Sequence, residues 1–184
     1  VAIGQAALGT QNFTTATDSH NVGVGQQAGV ALTTGIRNTL IGSEAGDALT
    51  DADNNVAVGA LALTADTLGS RNTAIGRGAL RDQNFTTATD SYNVAVGYSA
   101  GLIVTTGVQN TIIGGLAGDA QTIGGDNVAL GFEALGGETQ SSRNTAIGRG
   151  ALKAQNIGTN SNSYNTAVGA IAALALTSGI QNTF

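Results

Sequence analysis

A short apolar stretch recurs along the chain between longer, glycine-rich polar stretches, and it always has the same form. Asn is followed by Thr or Val, a small or aliphatic residue, Ile, Val or Leu, then Gly, two variable residues and Ala. The motif reads NVGVGQQA from Asn21, NTLIGSEA from Asn38, NVAVGALA from Asn55, NTAIGRGA from Asn72 and NVAVGYSA from Asn93. It continues as NTIIGGLA from Asn110, NVALGFEA from Asn127, NTAIGRGA from Asn144 and NTAVGAIA from Asn165. Positions two and four carry the larger apolar or Thr side chains, with a smaller residue, usually Ala, between them. Period-two patterning over so few residues predicts a strand with two distinct faces. Position four is expected to stack into a continuous apolar spine.

Gly at position five is invariant, from Gly25 to Gly169, and predicts a corner needing positive φ or close backbone approach. Ala three residues later predicts a site with room for one methyl group. Position thirteen of every 17-residue unit is Thr: Thr33, Thr50, Thr67, Thr105, Thr122, Thr139 and Thr177. It lies in a second short stretch such as ALTTGI, read here as a second strand.

Successive motif Asn residues are 17, 17, 17, 21, 17, 17, 17, 21 and 17 residues apart when the final Asn182 is included. The four extra residues fall in every fourth unit, so the array has a superperiod of 72 residues. QNFTTATDSH from Gln11 matches QNFTTATDSY from Gln83 at that shift, and GSRNTAIGRGAL from Gly69 matches SSRNTAIGRGAL from Ser141. A spacing held this strictly gives each unit an equivalent place in a stacked array.

One unit with two strands and two turns makes one coil of an all-β parallel β-solenoid, or β-roll, with coils about 4.8 Å apart. Identical residues then stack on themselves. The Asn column is expected to form side-chain amide ladders and the Thr column hydroxyl ladders. Helix is opposed by frequent Gly, Thr and Asn. Such coils bury little apolar area each and lean on their neighbours. A second burial surface between chains is therefore expected, in a homotrimer with one sheet of each chain facing the axis. The chain opens on VAIGQAA, inside a unit, and is read as a piece of a longer chain, with no signal peptide or initiator Met in it.

Composition narrows the function classes. Among 184 residues there is no Cys, Pro, Met or Trp, and His20 stands alone. That removes disulfides, thiolate chemistry and multi-His metal sites within a chain. Charged residues make up 10% and the net charge is -5, against the basic patches of nucleic-acid binders. No apolar run approaches the length of a membrane span, and membrane insertion of this segment is not expected. Absence of Pro suits a ladder that needs its N–H groups.

The N-[TV]-A-[IV]-G…A units resemble the head repeats of YadA-like trimeric autotransporter adhesins, and equally the NTAIG-type repeats of bacteriophage tail fibres. The resemblance spans nearly the whole chain. It implies a left-handed parallel β-roll, trimerised about a central axis, in an elongated fibre on a cell or virion surface. It departs from the adhesin heads in its longer 17-residue coil and its regular 21-residue coil. It transfers no ligand-contact residue.

Several features bear on chemistry. DADNN (Asp51 to Asn55) and GGDN (Gly124 to Asn127) place oxygen ligands that would suit calcium, but as turn formers they need no metal. Arg71, Arg77 and Arg81 form one cationic band, and Arg143, Arg149 and Lys153 its copy four coils on, about 19 Å away. They would fit a receptor with spaced anions such as a polysaccharide, against the plainer reading of pairing with Asp82 and Asp90. The 21-residue coils carry Phe13, His20, Phe85, Tyr92 and Tyr164. The loop with Phe85, Tyr92, Arg77 and Arg81 is the first place to look for ligand contact. No catalytic constellation, phosphate loop or cofactor motif is present, so no enzyme or cofactor is expected.

The functional expectation is a structural and adhesive fibre segment whose partners are copies of itself and a host-surface protein or polysaccharide. An end-to-end polymerising filament subunit and an ice-binding β-solenoid, the latter suggested by the Thr columns, are the alternatives.

Overall fold

The computed structural model describes residues 1–184 and contains strands and turns but no helix. The motif positions two to four form a strand in each coil. In chain order these are β1 (Ala2–Ile3), β2 (Val22–Val24), β3 (Thr39–Ile41), β4 (Val56–Val58), β6 (Thr73–Ile75), β8 (Val94–Val96), β9 (Thr111–Ile113), β10 (Val128–Leu130), β11 (Thr145–Ile147) and β12 (Thr166–Val168). All ten pair in parallel in one sheet, each with the next coil's strand. The register is the sequence repeat itself: Val56 opposes Thr73, Ala57 opposes Ala74 and Val58 opposes Ile75. The chain is a β-solenoid.

The expected second strand is not there in most coils. Only β5 (Gly69–Ser70) and β7 (Thr89–Asp90) pair on that side, with one further bridge between Ser142 and Asn162. The Thr stretch is instead a ladder one residue wide. Thr33 N–H and Gly35 N–H both donate to the Thr50 carbonyl, at 3.0 and 3.3 Å. The backbone then enters the left-handed region at Arg37 (φ 59°), where the chain turns toward the next strand of the long sheet.

The expected spine is also corrected. Position four faces outward: Ile41, Ile75 and Leu130 are about two-fifths exposed, while position three is fully buried from Leu40 to Ala167. The interior is filled by position three, by the Ala column at position eight, fully buried from Ala28 to Ala151, by Leu or Gly at position nine up to Leu152, and by Leu32, Leu49 and Val104 at position twelve. The coil is too thin for Ile or Val at every level, so volume rather than hydropathy selects what points in.

The corner glycines behave as expected. Gly59 has φ 134°, and a Cβ on it would stand 2.6 Å from the Gly76 carbonyl of the next coil.

The Asn column does more than stack on itself. Each motif Asn from Asn38 onward gives its backbone N–H to the side-chain oxygen of the Asn one coil before, as in Asn38 to Asn21 at 2.8 Å and Asn127 to Asn110 at 3.1 Å. Most also send the amide nitrogen across their own coil. Asn21 reaches Gly35 O, Asn38 reaches Ala52 O, Asn55 reaches Gly69 O and Asn110 reaches Gly124 O, at 2.7 to 2.9 Å. Asn is therefore a spoke that fixes the width of the coil, and direct amide-to-amide contacts (Asn72 to Asn55, Asn144 to Asn127) are secondary. The Thr column likewise donates to main-chain carbonyls rather than hydroxyl to hydroxyl. Thr33 reaches Thr50 O, Thr50 reaches Thr67 O, Thr105 reaches Thr122 O and Thr122 reaches Thr139 O.

Candidate functional site

The fold creates two surfaces with a chemistry of their own. The first is the outer face of the long sheet. Positions two and four point to it, and in all ten coils they are Val, Thr, Ile or Leu, the first being Val1 just before β1. At the strand spacing this makes an uncharged band about 43 Å long. Its residues are half-buried by their neighbours and covered by nothing else.

The second surface is the pair of corners that carry the charges. Arg71 Nε lies 2.9 Å from Asp90, and its guanidinium sits 5.6 Å from the centre of the Tyr92 ring. Arg143, 72 residues on, stacks on Tyr164 at 5.5 Å, donates to the Tyr164 hydroxyl and pairs with Asp126 at 3.6 Å. The Arg–Tyr stack is thus built twice, with its carboxylate on the following coil at Arg71 and on the preceding coil at Arg143. Arg81 pairs with the adjacent Asp82 at 2.6 Å, and Lys153 pairs with Glu133 at 2.6 Å. These are exposed pairs, screened by solvent, and add little to stability. Arg77 lies over Tyr98 at 5.9 Å and has no carboxylate partner; Arg149 has none either.

Of the loop residues singled out for ligand contact, Tyr92 is half exposed but Phe85 is 6% exposed. Phe85 packs under the bulge against Gly69, where a Cβ would come within 2.9 Å of its ring. It is a clamp for the loop and no contact for a ligand. Arg77 and Arg81 sit at a different corner from Tyr92, so the four residues do not form one site.

The aspartates weighed for calcium are occupied otherwise. Asp51 accepts from the Thr34 hydroxyl at 2.6 Å, Asp53 accepts Ile36 N–H at 2.8 Å, and Asp126 pairs with Arg143. They are turn residues bonding to the neighbouring coil.

Sequence reasoning missed a buried polar network at position twelve. There the column is Leu32 and Leu49 in two coils, then Asp66 and Gln83 in the next two. Asp66 is fully buried and accepts Gly69 N–H (3.0 Å), Phe85 N–H (3.1 Å) and the Gln83 amide (2.6 Å). Gln83 passes the chain on to Asn93 at 2.9 Å. The copy runs Glu138, Gln155, Asn165, with Glu138 accepting Thr139, Gln140 and Ser141 N–H at 2.9 to 3.0 Å. Burial opposes ionisation of Glu138, but hydrogen bonds from Ser141, Gln155 and Gln140 outweigh it and hold the carboxyl below its ordinary range. These carboxylates secure the neck of the four-residue bulge. The visible signal is a pair of neighbouring polar residues, Asp66 with Gln83 and Glu138 with Gln155, recurring at 72-residue spacing in a column that also holds Leu32, Leu49, Val104 and Leu176.

Compared with family models, with curated proteins and with solved structures, the chain gives no match.

Proposed function

We propose that the chain is a segment of an extracellular fibre, on a cell or virion surface, that self-associates about a threefold axis and displays a repeated binding surface outward. The observation that carries the reading is the uncharged outer face of the ten-stranded sheet. Contiguous apolar patches beyond a few hundred Å² are rare on monomers and mark interaction sites. The band is only two residues wide, flanked by corners, and a narrow strip suits convergence of three copies on an axis. The resemblance of the units to YadA-like heads and tail-fibre repeats points the same way. Function is then geometric: the stack holds recognition surfaces away from their anchor and repeats them, so weak contacts add by avidity.

Sedimentation equilibrium tests this. The expected mass is three times the 18.1 kDa of the chain. Lysine at Ile75 or Ile113, in the middle of the band, is expected to dissociate the assembly without unfolding the coil. A wild-type monomer at every concentration sinks the reading.

A second reading rests on the same face. Its ranks of Val, Thr and Ile on a parallel sheet are regular enough to order water as an ice-binding plane. The Thr33 to Thr139 column is not that plane, because its hydroxyls are spent on carbonyls. Thermal hysteresis by a monomeric chain would favour this reading, and its absence removes it.

A further inference from the structure

Directly after the corner glycine, one residue per coil lines a column parallel to the long axis. Five consecutive coils fill it with Arg77, Tyr98, Gly115, Phe132 and Arg149. In a chain with seven aromatic and seven basic residues, this concentration is the largest departure from the otherwise small and polar column. Tyr98 is 56% and Phe132 47% exposed. The two arginines at the ends are the members of the cationic bands left without a carboxylate. Between the rings, Gly115 leaves a notch, and a Cβ there would reach the Phe132 ring at 3.6 Å. Beside Arg149 lies a shallow hollow of about 160 Å³, lined by Glu133, Lys153 and Leu174 among others.

The spacing follows from the stack. One coil is about 4.8 Å, so the Cα positions of the two ring residues stand about 10 Å apart and those of the two arginines about 19 Å apart, with the Arg77 guanidinium over the Tyr98 ring at 5.9 Å. The separation of the two ring residues is close to the length of one disaccharide of pyranose units. The column's backbone carbonyls are engaged: Arg77 O, Tyr98 O, Gly115 O, Phe132 O and Arg149 O each accept an N–H of the following coil at 2.7 to 3.1 Å. What the column offers is ring faces and guanidinium donors. That suits a rigid, ring-bearing ligand rich in acceptors and carrying separated negative charges.

We propose that the column from Arg77 to Arg149 is a binding track for a linear anionic polysaccharide lying along the fibre axis. Pyranose rings stack on Tyr98 and Phe132, and the carboxylate or sulfate groups meet Arg77 and Arg149, with Lys153 at the far end. The track deepens the fibre reading, on which its outward display depends. Single-stranded nucleic acid also joins rings to anions, but its dense charge meets only two free arginines on a chain of net charge -5. An extended acidic peptide gains most from open main-chain donors and acceptors, and the carbonyls here are taken.

The test titrates the full chain with a polyuronate hexasaccharide, a sulfated hexasaccharide, a neutral β-linked hexasaccharide, oligo-dT and a poly-Glu peptide, by NMR or calorimetry. Binding of the polyuronate or the sulfated glycan is expected, the better one identifying the anion, and it should weaken with salt. The double substitution Arg77→Ala/Arg149→Ala is expected to lower affinity at least tenfold, Tyr98→Ala or Phe132→Ala about fivefold, and Gly115→Leu severalfold by filling the notch. Arg71→Ala/Arg143→Ala, at the other corner, should leave binding unchanged. All these residues are exposed or open, and thermal melts confirm folding. The track is overturned if neither acidic glycan binds, if the neutral glycan binds equally, if only DNA or peptide binds, or if the Arg71/Arg143 pair matters as much. Sedimentation of the same samples separates the two readings: a monomer with this binding pattern keeps the track and sinks the fibre, while a trimer that binds no glycan does the reverse.

Discussion

The coil around Leu40 and the coil around Ala74 share strand and corner, differ by the four-residue bulge and have opposite interiors. In the first, position nine is Gly (Gly29 before it, Gly46 within it), position three is Leu40 and position twelve is Leu49. A Cβ on Gly29 or Gly46 would meet Leu40 at 2.5 or 2.8 Å, so the glycines make the room that Leu40 fills. In the second, Leu63 and Leu80 occupy position nine, Ala74 position three, and the buried Gln83 position twelve. The rule holds along the chain. Position three is large only where position nine of its own coil and of the coil before are both Gly, at Leu40 and again at Ile112. Leu at position nine goes with a polar residue at twelve, and that residue holds the bulge. The superperiod is therefore two alternative ways of filling one cross-section, used two coils at a time.

Removing the polar anchor should cost most. Glu138→Ala leaves the N–H groups of Thr139, Gln140 and Ser141 without their acceptor and removes the shortest bond of the Gln155 amide, and each orphaned buried group costs about 1–3 kcal/mol. A loss of about 4 kcal/mol is expected in denaturant melts, with faster amide exchange confined to the coil from Asn144 to Asn165. Uniform loss of protection would contradict the bulge-anchor role.

On the apolar side, Leu40→Ala should cost about 3 kcal/mol, as a core cavity does. Gly46→Leu alone overpacks against Leu40 and Leu49. The backbone at Leu63 has the same φ, 55°, so that conformation accepts Leu. In a double-mutant cycle the two substitutions should couple, the second costing less once Leu40 is gone. Additive costs would break the volume rule.

Gln121 stands outside this pairing of positions nine and twelve. It is polar in a coil whose position nine is Gly118, and both of its buried amide atoms lack a partner. Its counterpart 72 residues earlier is Leu49. Gln121→Leu should raise stability by about 1–2 kcal/mol, read as a higher melting temperature; a fall would mean an unseen partner.

The smallest effect is on pH. The folded Glu138 carboxyl titrates below its ordinary 4.5. Its contribution is complete above that value and is lost as pH falls through the folded value. Melting temperature should drop on acidification below about pH 4, and Glu138→Gln should flatten part of that drop. The Leu32 and Leu49 coils carry no carboxylate in this column.

Coil length, strand position, corner glycine and the spacing of the bulge were all legible, because each is written as an invariant residue at a fixed interval. The sense of the strand was not. Hydropathy favours Ile75 over Ala74 as the inward residue, and only the coil's thickness, a tertiary quantity, reverses it. Column twelve was missed because Leu, Asp and Gln share it, and their order has meaning only beside position nine. Phe85 and Tyr92 looked alike as loop aromatics; the fold buries one under the bulge and leaves the other half exposed beneath Arg71.

The paired interiors also set how the protein can change length. A single extra coil would put a Leu40-type strand beside a Leu80-type turn, or separate Asp66 from the bulge it grips. Four coils can be added or lost with every joint intact. The solenoid is therefore a ruler graduated in steps of about 19 Å, and a duplication that ignores the graduation carries a flaw at its seam.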